Sequence, residues 1–397
     1  MIPPAEIQAL AEPVEGIYIR ISNDLLGNIA RHIRAPTWTN TARWEVQKLS
    51  ELGQLTAENA AIINRYIQQI PAEVRATMTA ARQAALADVE KQLAAAAQAG
   101  YLTPPVHDSV PAALQALIAQ ADERLNLTNT QMLQSSLDRY VEAINAVDRY
   151  QQGQPMPQEG LDILNTRAAA LVLGTQVPTE AIRGAIRDLA EQDITGFIDK
   201  AGRHWTPEAY VNMVMRTTVH NTAITGIRER MKDYGTDVFQ ISAHAGARPL
   251  CAPYQGWYCS WGSGAGEIEL GNGEVVEYVD IDDTSYGEAA GIFGVNCGHY
   301  PIPVVAGYSI PSAQDNIQDP ETNAREYKDS QIQRALEREI REAKRIVLAL
   351  GPLATKEDKD RVKQAQADMR AFIERTGRTR RYEREQVEPT AAKKSAA

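Results

Sequence analysis

The sequence predicts an α+β fold that is predominantly α: an elongated helical N-terminal region, a small Gly-rich β-containing Cys/His module, and a charged C-terminal helical hairpin. Three observations lead there. Apolar residues in the first two hundred positions recur every three or four residues, the period of a helix with one buried face. The pattern changes over residues 236–312, where glycines, β-like alternation and all three cysteines gather. After residue 320 the chain returns to long charged helical stretches. Aromatic content is only 6% and alanine is abundant, which favours helices over sheets.

The first stripe is Ile17, Ile21, Leu25, Ile29 and Ile33, which predicts a helix over Val14–Arg34 ended by Pro36. A second helix, capped by Thr39 or Thr41, carries Trp44, Leu49 and Leu52 and is expected to stop at Gly53. A third covers Thr56–Ile70 and breaks at Pro71. Ala72–Ala99 contains no Gly or Pro. Its seam of Val74, Met78, Ala85, Val89 and Leu93 suits close packing against another helix, in this chain or a neighbouring subunit. Gly100 and Pro104-Pro105 punctuate its end. Further helices are predicted over Val110–Arg124, Asn129–Tyr150, Leu161–Leu173 and Thr179–Lys200. This half holds no Gly-rich phosphate loop and no paired metal ligands. His32 and His107 stand alone in it, so it reads as a structural helical array.

Thr206-Pro207-Glu208 combines a capping hydroxyl, a proline suited to the first helical position and an acid in the first turn. The helix it starts runs to Tyr234 and ends at Gly235, with Val211, Val214, Met215, Ile224, Ile227 and Met231 facing a core. Arg216 and His220 share one face of it. They suit an anion or a ligand, but without a third polar partner they read as a polar face meeting the next module.

That module begins with an extended Thr236–Ala243, which sets Phe239 and Ile241 on one side. Glu267–Leu270 and Glu274–Tyr278 flank Gly271-Asn272-Gly273 and predict a hairpin closed by a tight primed turn. Gly287, Gly291, Gly294 and Gly298 mark a chain that turns repeatedly. Pro301 and Pro303 confine the extended His299–Val305 to a sheet edge.

The chemistry-bearing residues lie here. His244 and Cys251 follow one strand, and Cys297 and His299 precede another. Four such ligands can close a tetrahedral Cys₂His₂ zinc site, a structural staple for a module poor in apolar residues. The alternative is two buried thiols and two hydrogen-bonded imidazoles. A catalytic alternative makes Cys and His a nucleophile–base pair, with Asp280, Asp282 or Asp283 orienting the base. Arg248, Tyr254, Gln255 and Trp257 surround Cys251 and are interface candidates, or else local packing around the metal. No catalytic residue is assigned, and the chain is read as a non-enzyme.

Beyond the module, Asn323–Leu350 and Lys356–Glu374 predict two charged helices separated by Gly351-Pro352, with Glu337 and Arg341 spaced for an ion pair. The expected division is 1–105 and 106–205 (helical regions), 206–312 (junction helix plus Cys/His module), 313–376 (charged helices) and 377–397 (a basic, disordered tail). The net charge is −10. From Glu321 onward, 19 Lys and Arg face 14 Asp and Glu, whereas the preceding residues carry 22 against 37. An acidic body with a mildly basic end is not the profile of a dedicated DNA-binding protein. No apolar run approaches the roughly 18 residues of a membrane span, and Met1–Ala11 lacks the features of a secretory signal. Three cysteines in 397 residues argue for a reducing compartment rather than a disulfide framework.

Ser242-Ala-His-Ala-Gly-Ala-Arg-Pro-Leu-Cys-Ala-Pro-Tyr-Gln-Gly256 resembles a signature of the phage minor capsid 2 family, and Gly291-Ile-Phe-Gly-Val-Asn-Cys-Gly-His299 resembles its second signature. Ala201-Gly-Arg-His-Trp205, Tyr210-Val-Asn-Met-Val-Met-Arg-Thr217 and Thr41-Ala-Arg-Trp-Glu45 fit the same pattern, and the resemblance covers roughly residues 10–310. It implies a virion protein of a tailed bacteriophage, made in the host cytoplasm. More distant similarity to MuF-type head morphogenesis proteins implies partners in the portal protein, the major capsid protein and other copies of itself around the portal ring. The implied place is the portal vertex and capsid interior, and the role head assembly or genome packaging and delivery. The five arginines of Arg375–Arg384 are then a candidate contact with packaged DNA, although a solvated tail is the simpler reading. The resemblance carries no catalytic residues. The stretch after Pro311 is too short and too helical for the toxin domains fused to some MuF-type proteins.

Overall fold

The computed structural model describes residues 4–34, 41–106, 110–151, 187, 190, 196–198, 202, 204–310 and 317–387. The expected helix Leu161–Leu173, His107 and the tail beyond residue 387 lie outside them. The described chain is α+β and predominantly α. Its helices are α1 (Pro4–Arg34), α2 (Thr41–Ile67), α3 (Ile70–Gln98), α4 (Val110–Gln151), α5 (Pro207–Asp233), α6 (Pro320–Leu350) and α7 (Lys356–Thr376). The chain divides into two compact units, one of Met1–Val14, Pro71–Arg124 and Asn212–Ile332, the other of Glu15–Ile70, Leu125–Val211 and Gln333–Ala397.

The first unit holds the Cys/His module. The α3 seam is buried as expected, with Val74, Met78, Ala85, Val89 and Leu93 at most 2% exposed. Its partner lies in this chain. Val89, Leu93 and Ala96 pack with Ile224, Ile227 and Met231 of α5, and with Phe239, Ile241 and all three cysteines of the module. Glu90 fixes the helix pair, accepting from Arg230 Nε and Nη2 at 2.6 and 2.8 Å and from the Tyr234 hydroxyl at 2.8 Å. α5 starts as its sequence dictates, with Thr206 Oγ1 accepting from the Ala209 amide at 3.1 Å. It ends before Gly235, whose φ of 75° is the left-handed value that favours glycine.

Five strands form the module's sheet in the order β5 (Gly266–Glu269), β6 (Val275–Asp280), β4 (Tyr258–Ser260), β3 (Val238–Ile241), β7 (Pro301–Pro303). All pairs are antiparallel except β4 with β6. β7 is the edge strand its prolines require. β3 is buried along its whole length: Val238 faces Leu270 and Val304, while Phe239 and Ile241 face the cysteine-containing core. The β5–β6 hairpin forms where predicted, but its turn differs. Gly273 alone has positive φ (81°), its amide donating to Leu270 O at 2.9 Å and Leu270 N to Glu274 O at 2.8 Å. This is a three-residue loop ending in a left-handed glycine rather than a two-residue primed turn.

In the second unit, Ile17, Ile21, Leu25 and Ile29 are buried on α1, together with Leu55 and Ile63 of α2 and Leu125 and Met132 of α4. A buried polar relay joins these helices: Asn28 Nδ2 donates to Asn59 Oδ1 (2.9 Å) and Asn59 Nδ2 to Ser136 Oγ (3.2 Å). His32, expected to stand alone, lies 3.4 Å from Glu51 and 3.1 Å from Glu58.

Several predicted boundaries move. α1 starts ten residues early because Ile7, Ala11 and Val14 extend its buried stripe past Pro13. α2 runs through Gly53. An interior glycine costs about 1 kcal/mol, whereas burying a Leu or Ile side chain contributes about 1.5–3 kcal/mol, so the stripe of Leu55, Ile62 and Ile63 prevails. The two helices expected over Val110–Arg124 and Asn129–Tyr150 are one, because Leu125, Thr128 and Asn129 are buried on its continuing face. The helix predicted to Lys200 does not reach it. Phe197–Ile198 (β1) instead pairs antiparallel with His204–Trp205 (β2), after Gly196 breaks the helical pattern.

α6 and α7 are separated at Gly351 as expected, and Thr355 and Asp358 form a reciprocal capping box on α7. Glu337 is 3.9 Å from Arg384 rather than paired with Arg341, which donates to the Arg384 carbonyl. The basic segment is therefore not a tail from residue 377. Gly377–Val387 folds back along α6, with Arg378 Nε donating to Gln333 Oε1 at 2.9 Å and Lys344 Nζ to the Glu385 carbonyl at 2.8 Å. Arg380 makes two 2.6 Å bonds to the buried Glu385.

Gly53→Ala should raise stability by about 0.5–1 kcal/mol, because nothing lies within 4 Å of the added Cβ. Gly291→Ala should prevent folding of the module, because its Cβ would meet the Ser285 carbonyl oxygen at 1.7 Å. Urea titration followed by circular dichroism measures both. Hydrogen bonding from Arg230 holds the Glu90 carboxyl below its ordinary 4.5, so its contribution is present above that value and lost as pH falls through the lower folded one. Glu90→Gln should cost on the order of 1 kcal/mol at neutral pH, a size limited by solvent screening. The difference from the parent should shrink steadily below pH 5.

Candidate metal centre

The β3–β7 register builds the site. Ile241 lies opposite Pro301, Ser242 N donates to Tyr300 O at 3.1 Å, and Tyr300 N donates to Ser242 Oγ at 3.0 Å. The chain leaving β3 and the chain approaching β7 are thereby held side by side. The first carries His244 and Cys251; the second carries Cys297 and His299. Cys251 precedes the short 3₁₀ turn Ala252–Tyr254, and its amide donates to Arg248 O at 2.8 Å. Cys297 ends a run of tight turns in which Phe293 and Asn296 both take φ of 57°. Such left-handed values in non-glycine residues persist only where the surroundings hold them. Here Ser285 Oγ accepts from Ile292 N (2.9 Å) and donates to Leu250 O (2.6 Å), and Arg248 donates to Val295 O (2.6 Å) and Gly291 O (3.1 Å).

The structure brings three of the four predicted ligands into one set. Cys251 Sγ, Cys297 Sγ and a His299 ring nitrogen lie within 4.8 Å of one another, and all three residues are buried. The sulfurs are 4.0 Å apart, and His299 Nδ1 is 3.3 Å from Cys297 Sγ. This cluster can hold a metal ion. His244 lies beside it, its ring centroid 4.3 Å from that of His299.

Hydrogen bonding assigns the imidazole tautomers. Gln255 Oε1 accepts from the His244 amide at 2.8 Å, so it is also the acceptor for His299 Nε2 at 3.1 Å. His299 therefore carries its proton on Nε2 and turns the Nδ1 lone pair towards the sulfurs. A Gln carbonyl holding the outer nitrogen is the kind of support a ligating histidine needs. The Cys297 thiol proton has two acceptors in reach, the Cys251 sulfur and His299 Nδ1. Its hydrogen bond to Cys251 holds that thiol down to about 4, well below the ordinary range, with the Arg248 guanidinium acting in the same direction. Cys297 is correspondingly pushed up. Cys259 sits one strand away, its thiol raised to about 12 by burial and by Asp280, and belongs to the hydrophobic core.

Of the four interface candidates, Arg248 and Gln255 turn towards the cluster, and Tyr254 stacks edge-on against Trp257 at 5.2 Å. Trp257 and Leu250 remain 43% exposed. The aspartates offered for a catalytic triad are engaged elsewhere. Asp280 accepts from the Gly264 and Asp282 amides, and Asp282 and Asp283 are exposed. Sequence reasoning placed His220 only on a polar helix face. It is 2% exposed, and its Nε2 donates to the His299 carbonyl at 2.6 Å, so α5 anchors the backbone of the Cys/His cluster. Burial lowers the ring to about 4, which keeps it neutral. The signal was its helical register, but the partner is 79 residues away.

The chain matches the family described as Phage minor capsid protein 2 over residues 2–374, and it belongs to that family. It is 32% identical over 185 residues to a "Structural protein" of Lactococcus phage LL-H, an overlap of 46% of this chain and 48% of that protein. The chain thus spans about half the length of the curated relative it matches. No solved structure matches it. Among the described residues, no helix is long and apolar enough to cross a membrane.

Gln255→Ala removes the acceptor for both the His244 amide and His299 Nε2. It should destabilise the module by about 2–6 kcal/mol, at about 1–3 kcal/mol for each of the two stranded donors, in chemical denaturation.

Proposed function

We propose that this protein is a structural component of a tailed-phage head, bound at the portal vertex and inner shell and acting in head assembly or in genome packaging and delivery. Family membership over nearly the whole chain is the observation that carries the reading. In this reading its neighbours are the portal protein, the major capsid protein and further copies of itself around the portal ring. It is made in the bacterial cytoplasm, where its three free cysteines stay reduced. The exposed Trp257 and Leu250 beside the Cys/His cluster are its candidate contact with a head protein.

The cluster serves stability rather than chemistry, as the seat of a structural zinc ion held by Cys251, Cys297 and His299. Tetrahedral zinc, with bonds of about 2.3 Å to sulfur and about 2.0 Å to nitrogen, sets two sulfurs about 3.8 Å apart and sulfur and nitrogen about 3.5 Å apart. Two of the three separations, 4.0 and 3.3 Å, fit that demand, and the third lies within 4.8 Å. Bound zinc would take the place of the shared thiol proton and tie the β3 loop to the β7 approach. A DNA contact through Arg375–Arg384 is the weaker reading, because Arg378, Arg380 and Arg384 are engaged with Gln333, Glu385 and Glu337.

Quantitative mass spectrometry of purified heads should find the chain at a fixed ratio to the portal protein; its absence from heads would sink the assignment. Elemental analysis of the purified protein should give about one zinc per chain. Cys297→Ser should abolish it and lower the melting temperature of the module. If Cys297→Ser leaves the fold intact but removes a hydrolytic or transfer activity, the enzymatic alternative holds instead.

A further inference from the structure

The three-donor set leaves open what fills the fourth position of the ion, and that position decides what the site is for. A fourth protein ligand closes the site and makes it structural, whereas a water there is the arrangement of catalytic zinc. His244 is the residue in reach. Its ring lies against that of His299 at 4.3 Å between centroids, tilted by 33°. Its Nδ1 is 3.0 Å from the Ala245 carbonyl oxygen, an atom that only accepts, so Nδ1 carries the proton. The bare lone pair is then on Nε2, which is buried and has no hydrogen-bond partner. A buried nitrogen acceptor without a donor is costly, and binding a cation removes that cost. The protonated nitrogen of His244 is held by a backbone carbonyl and that of His299 by Gln255, the outer-shell pattern of ligating histidines. Gln255 also receives the His244 amide, so one side chain holds both.

We infer that His244 is the fourth ligand, through Nε2, and that the site is a closed Cys₂His₂ centre. This rests on the reading of the Cys/His cluster as a zinc site. His244 stands outside the 4.8 Å set of the other three, so ligation requires its Nε2 to move closer to the sulfurs.

The test loads the full-length protein with Co(II) and with Zn(II). X-ray absorption of the Zn(II) form should resolve two sulfur and two imidazole scatterers, and the Co(II) form should show the intense visible bands of a four-coordinate site. His244→Ala should exchange one imidazole for a light oxygen scatterer and weaken binding on the order of 100-fold or more, with partial recovery on adding free imidazole. Gln255→Ala should keep all four ligands and lose about 10–100-fold. A parent spectrum with two sulfurs, one imidazole and a water would overturn the role of His244 and leave the zinc reading standing. So would an unchanged Co(II) spectrum and affinity in His244→Ala. A parent protein that takes up neither ion would overturn both. Because the parent spectrum alone decides, misfolding of a variant cannot leave the question open.

Discussion

The antiparallel pairing of β3 with β7 is the constraint on which the module depends. It sets Ile241 opposite Pro301 and so puts the chain after β3 beside the chain before β7. Two sulfurs and an imidazole from segments 46 residues apart then meet in a buried space. β7 is short and carries two prolines that cannot donate to a ladder, so the pairing draws on outside contacts. Thr236 Oγ1 donates to Val304 O at 3.2 Å, and Gln92 of α3 donates to Pro303 O at 2.9 Å. The edge strand is held by side chains where its own backbone lacks donors.

Burial around the cluster is balanced by polar contacts of matching sign. The thiols are surrounded by donors: the Arg248 guanidinium, the His299 amide and their own shared proton. His220 reaches from α5 to fix the His299 carbonyl, and Asn323 of α6 closes on Ala247 from both sides, accepting its amide at 2.7 Å and donating to its carbonyl at 2.8 Å. The loop that carries Cys251 is thus clamped by α6 as well as by the sheet. Gly246 takes positive φ there, and a Cβ at that position would press on Glu326 at 3.3 Å. The sequence around Cys251 is therefore as much about fitting a loop under a helix as about the thiol it carries.

Elsewhere the architecture follows the arithmetic of buried faces. Gly53 is a weak breaker and Pro13 a stronger one, yet both lie inside buried stripes that continue through them. The C-terminal arginines show the same competition in charge. A segment with five Arg residues reads as solvated until Glu385 and Glu337 are found beneath it. Once an Arg–carboxylate pair is bidentate and shielded, it orders the chain rather than leaving it free for an outside anion.

The sequence by itself determined what is local. Helical period, the Thr206 cap, the Gly235 stop, the α3 seam, the edge position of Pro301 and Pro303, and the break at Gly351 all follow from residues a few positions apart. It also marked His244, Cys251, Cys297 and His299 as one chemical group, because their types cluster in a single module. The tertiary structure decided what depends on partners far along the chain. That α3 roofs the module, that His220 supports His299, that His32 meets two glutamates and that the arginine segment is packed are all set by contacts tens of residues away. No periodicity encodes them. The physical reason is that a side chain's register fixes the direction it faces, while the protonation, pairing and burial that give it a role are fixed by whatever the fold places opposite.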